Sequence, residues 1–163
     1  TFWQYELPLM FRKYHRMLLY TFLIFAVFCT MAVLSSMKDD QFVKGVLGED
    51  YVSMTEENIE KGDPFGVYSD SSRFSMFVRI AFNNIKVGFL IVASGIFFGI
   101  GTMLFFFQNC IMLGSFQYMF FAKGLGWESV LVIWIHGTLE ISGMIIEACA
   151  GFILARSILF PAT

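Results

Sequence analysis

Between Val130 and Leu154 the chain places His136, Glu140, Gly143, Glu147 and Gly151 three or four residues apart in an otherwise apolar run. On a helix that spacing gathers them into one stripe. The run is long enough to cross a bilayer, and ionisable groups in a spanning helix are costly unless they face protein or a watery path. A dozen strongly apolar residues contribute about −4 to −7 kcal/mol on an insertion scale, while each central charge costs about 2.5–3.5 kcal/mol. Three charges would therefore cancel the gain. The helix is expected to insert with His136 neutral, at least one glutamate protonated or paired, and the stripe turned toward other helices.

Three chemistries are open to such a stripe. His136 and Glu140, one turn apart, can hydrogen-bond each other and nearby amides such as Asn83, Asn84, Asn109 or Gln117, locking helices together. The same groups can relay protons or ions, or line a polar path. They can also share a metal ion, but two ligands are too few and no second histidine faces them. Neither metal nor cofactor is expected. No nucleophile–base pair is apparent, and the metalloprotease His-Glu-x-x-His pattern is absent, so enzymatic activity is not expected.

The elements that must hold this stripe follow from hydropathy. Hydrophobic residues make up 57% of the 163, including 21 Phe; soluble domains average about 45–50%. An all-α, polytopic membrane bundle is the expected fold, a single domain in contact with the lipid bilayer. Residues 1–16 form a lead-in ending in the basic cluster Arg12, Lys13, His15 and Arg16, and residues 17–36 form the first span. Residues 37–72 form a loop with nine acidic residues and three lysines between Lys38 and Asp70. The positive-inside rule puts the N-terminus in the cytoplasm and this loop outside. Ser53-Met-Thr-Glu56 resembles a capping box and Gly62 a helix stop, which suggests a short helix from about Met54 to Lys61.

Residues 73–86 fit an amphipathic helix, interfacial or partly inserted, that leads into the next span. Residues 87–107 form the second span, with Gly88, Gly95 and Gly99 on one face and Gly101 beside them; Gly95-x-x-x-Gly99 is a close-packing pattern. Cys110–Ala122 is short for a crossing and is read as a tilted span or a re-entrant piece. Residues 129–154 form the last span, in which Gly137, Gly143 and Gly151 would allow close packing. Both ends then lie inside. The three cysteines, all in apolar runs, suit buried thiols. The net charge of −2 gives no argument for nucleic acid. Opening on Thr1 and closing on Thr163, the chain is read as part of a longer protein.

Several of these motifs occur together in one family. Asn83-Asn84-Ile-Lys-Val before a glycine-rich span, Gly95 to Thr102 within it, Asn109-x-x-Met-Leu-Gly114, and above all His136-Gly137-x-x-Glu140 resemble the stage II sporulation protein M family. Gly114-Ser-Phe-Gln-Tyr and the segment around Trp134 look like its Bacteroidetes-type branch. The resemblance covers nearly the whole chain. It implies a multi-pass inner-membrane protein without known enzymatic activity, whose namesake acts with peptidoglycan hydrolases during engulfment. Relatives occur in bacteria that never sporulate, so no sporulation role is carried over. Glu147 and Arg156 stand where relatives usually have small residues, which leaves His136 and Glu140 as the better candidates for a shared role. The resulting expectation is a component or scaffold of a cell-envelope complex, with other membrane proteins or a second copy as partners. The rival is a transporter or permease-like subunit with a proton or solute path along His136 and Glu140.

Overall fold

The computed structural model describes residues 1–63 and 73–161, and the side chains of all of these except 73–77 and 132–136. The described residues are helical throughout, with no strand. A short wide turn (Phe2–Glu6) leads into α1 (Leu7–Ser36), whose first turn accommodates Pro8 because its missing N–H would have no partner there. Helices α2 (Asp40–Leu47) and α3 (Glu49–Glu60) follow, then α4 (Arg73–Ala93), α5 (Ile100–Ala122) and α6 (Gly126–Leu159). Four stretches are long and apolar enough to cross a membrane: Phe2–Ser36, Val78–Ile96, Ile100–Ala122 and Gly137–Leu159.

The acidic segment is folded from Asp39 to Gly62, and its remainder beyond Asp63 lies outside the described residues. Asp39 accepts from the Gln41 amide at 2.9 Å and caps α2. Gly48, at φ +91°, separates α2 from α3. The expected helix start at Met54 is therefore corrected to Glu49, where Glu49 and Asp50 meet the positive end of the helix dipole. The stop at Gly62 holds, with φ +79°. Val43 on α2 and Val52 on α3 pack with Met119 and Phe120 of α5, and Lys123 pairs with Glu56 at 2.6 Å. The α2–α3 pair thus sits over the end of α5.

Two expected boundaries are corrected. No break separates residues 73–86 from the following span, since α4 is continuous through both. The apolar run 87–107, read as one crossing, instead folds back on itself: a tight turn at Ser94–Ile96 is followed by Phe98 at φ +55° and Gly99 at φ +81°. Cys110–Ala122 is consequently the second half of a 23-residue helix, about 34 Å long at 1.5 Å per residue. Hydropathy misses this turn because it contains nothing polar that faces outward. Ser94 and Thr102 both direct their hydroxyls inward, donating to the Ile91 carbonyl at 3.1 and 2.7 Å. The amides of Phe97, Gly99 and Ile100 bond to Ser94, Gly95 and Phe97 carbonyls, as an irregular backbone segment requires in lipid.

The spans pack in register. α1 and α5 run parallel: Phe25 meets Phe106, Cys29 donates to the Cys110 carbonyl, and Ser36 bonds Ser115 at 3.2 Å. Gly114 lets α5 approach the α1 backbone at Cys29 and Ala32. α4 and α6 are also parallel, with Gly88 against Glu147, Gly95 against the backbone of Gly151, and Gly99 against Ala155. Ile91, Phe106, Cys110, Ile145 and Ala148 form the buried centre where α4, α5 and α6 meet.

Candidate functional site: a polar cleft at mid-membrane depth

The depth of the polar groups can be read from helix register. Cys29 and Cys110 are 81 residues apart and in contact, and Phe28 stacks edge-on against Phe107 at 4.9 Å. Gln108 and Asn109 therefore lie level with Val27 and Phe28, in the middle of the uncharged run Met17–Ser36. Across the hairpin, Ile91 meets Thr102, so the antiparallel register sets Asn84 opposite Asn109. Glu147 meets Gly88, one turn away. Two amides and a carboxylate are thus held at about the same depth, far from both ends of their helices.

They share one cleft. Asn84 and Val87 of α4, Asn109 and Met112 of α5, and Glu140, Gly143 and Glu147 of α6 line a space of about 310 Å³. The Asn109 side-chain amide also donates to the Phe105 carbonyl at 2.8 Å. Residues with no β-carbon shape the cleft's floor: a side chain at Gly88 would overlap the Glu147 carboxylate. The glycine stripe of α4 and the Gly–Glu stripe of α6 are therefore two halves of one contact. Below it, Gly95 and Gly151 touch backbone to backbone.

Several expected site residues behave differently. Glu140 lines the cleft but is exposed, so the expectation that the stripe is sealed inside the bundle is corrected. Among the described residues, a β-carbon at Gly137 or Gly143 would meet nothing within 4 Å, so neither packs against them. Gly99 supplies the positive φ of the turn and, like Gly88 and Gly95, faces α6, whereas Gly101 nestles against Ser94 within the hairpin. Asn83 is exposed on another side of α4 and does not join Asn84. The backbone of His136 is helical, while its side chain, and with it the expected His136–Glu140 pair, lies outside the described residues.

A second space, about 490 Å³, lies between α1 and α6, lined by His15, Leu18 and Phe22 with Thr138, Ser142 and Ile145. The His15 ring nitrogen is tied to the Arg12 carbonyl at 2.7 Å. Sequence reasoning gave no role to three exposed polar residues of the spans: Arg79, near the edge of Val78–Ile96, and Lys86 and Gln108, deeper in theirs. Arg79 and Lys86 were hidden by assigning residues 73–86 to an interfacial helix, although Arg79, Asn83 and Lys86 repeat at three- and four-residue spacing.

A bundle of long apolar helices packed through glycines, with carboxylates and amides at its middle, defines a polytopic helical membrane protein. Residues 19–163 match the family described as stage II sporulation protein M, and the chain belongs to that family. No curated protein and no solved structure matches it.

Proposed function

We propose that the chain is a non-enzymatic component of a membrane or cell-envelope complex, set in the bacterial inner membrane with its N-terminus in the cytoplasm. The observation that carries this reading is the open cleft: Glu140 is exposed and Glu147 half-buried at a depth where lipid tails cannot solvate them. Carboxylates and amides at such a depth hydrogen-bond or pair with another membrane segment, and a scaffold needs surfaces of that kind. The basic cluster at Arg12–Arg16 and the acidic α2–α3 cap support the orientation.

A second reading, a transporter or permease-like subunit, draws on the same groups, because Asn84, Asn109, Glu140 and Glu147 line one continuous space. Full-length protein in liposomes, assayed for proton and ion flux as wild type, Glu140→Gln and Glu147→Gln, separates the two. The scaffold reading expects no flux in any of them, and a stoichiometric complex, recovered by crosslinking from native membranes, that Glu140→Gln weakens. Flux in the wild type that is lost in the variants would replace it with transport.

A further inference from the structure

Arg79 and Lys86 stand on the face of α4 that points away from the cleft. At 100° per residue both lie nearly opposite Gly88, which meets Glu147, and both are exposed together with Asn83 and the neighbouring Gln108 of α5. Arg79 lies near the edge of the span Val78–Ile96, and register sets the depth of Lys86. Lys86 lies five residues from Ile91 as Phe107 lies five from Thr102, and Phe107 packs on Phe28. Lys86 is therefore level with the centre of α1, too far from either end for its side chain to reach the headgroups. Among the described residues the ion pairs are Lys61–Glu57 and Lys123–Glu56, and neither Arg79 nor Lys86 belongs to one. A cation there, facing out, calls for a carboxylate from another membrane helix at the same depth.

The chain carries such a carboxylate itself. Glu140 is exposed, and it lies two turns before Glu147 on a helix parallel to α4, which sets it level with Ala81, between Arg79 and Lys86. Resting on the scaffold reading above, we infer that a second copy of this chain occupies the basic face of α4, with its Glu140 between Arg79 and Lys86 of the first. Copies inserted in the same orientation keep equal depths, so the match in height is automatic. The cation face and the carboxylate lie on different sides of α4, so the contact is head-to-tail and closes into a ring when its rotation permits. One interface then offsets the cost of charges on both copies.

The test counts copies of the full chain in lipid bilayers by single-molecule photobleaching, with native mass spectrometry from membrane vesicles as a second count. Wild type is expected as an oligomer. Glu140→Lys alone, and Arg79→Glu with Lys86→Glu alone, are expected as monomers, and mixing the two restores assembly because each then offers the face the other needs. Should those reversals fail to fold, Glu140→Gln and Lys86→Met are expected to weaken association about tenfold, the scale of one interhelical polar contact in lipid. A monomeric wild type, reversals that leave the copy number unchanged, or folded variants whose mixture stays monomeric would each overturn the inference. A monomer that still brings down another membrane protein in stoichiometric amount overturns self-contact and leaves the scaffold reading standing. Flux through the wild type would defeat that reading whatever the copy number.

Discussion

The two ends of the α4–α6 contact are built on opposite plans. Near the hairpin turn, Gly95 and Gly151 bring two backbones together with no side chain between them. Toward the other end, Gly137 and Gly143 face open space, and Glu140 and Glu147 occupy the gap. Glycine in a membrane helix thus has two uses here, and only the neighbours tell them apart. One admits a partner helix of the same chain; the other leaves room at a polar surface.

Substitutions should separate the two ends, beginning with the most damaging. Gly151→Leu would drive a side chain into the Ile91 carbonyl and the Thr102 side chain. It is expected to cost more than about 3 kcal/mol, the upper range of overpacking effects, seen as loss of folded protein in a detergent melting assay. Gly114→Val, against Ala32 and the Cys29 backbone, should cost about 1–3 kcal/mol in the same assay, and a smaller loss would mean α1 can shift outward. Thr102→Val removes the shorter of the two hydroxyl bonds to the Ile91 carbonyl and should cost about 1 kcal/mol. Gly143→Ala should stay within about 0.5 kcal/mol of wild type or stabilise slightly, because alanine favours helix and meets nothing. A large loss there would show that the open end closes on something of its own.

The smallest effect belongs outside the membrane. The Lys61 ammonium, 2.7 Å away, holds the exposed Glu57 carboxyl below its usual range. A depressed carboxyl stabilises above its unfolded pKa and loses that contribution as pH falls through the folded value. Glu57→Gln should therefore melt slightly lower than wild type at neutral pH, by a small and salt-sensitive margin that vanishes at acid pH.

Fold class and family were legible from long uncharged runs, the basic cluster in the first turns of α1, and the motifs around Asn84, Asn109 and Glu140. The stripe on α6 was also legible from spacing alone. What spacing could not reveal was which face meets protein. Glu140 and Gly143 share a stripe with Glu147 and Gly151, yet among the described residues the first two are open and Gly151 is in contact. The turn at Ser94–Gly99 was illegible for a different reason. Its polar groups satisfy one another internally, leaving Ile96, Phe97 and Phe98 more than half exposed and nothing hydrophilic to mark the bend. The start of α3 was misplaced because Gly48 outweighs a capping pattern that begins at Ser53.

That bend bears on how the protein enters its membrane. A connection with no charged side chain, whose two hydroxyls are both spent on the Ile91 carbonyl, gives the inserting machinery no point at which to halt between Lys86 and Gln108. The two arms must therefore leave water together, as a preformed hairpin whose tip stays greasy from start to finish. A charged residue at Phe97 or Phe98 would supply the missing stop and let the arms be threaded one after the other.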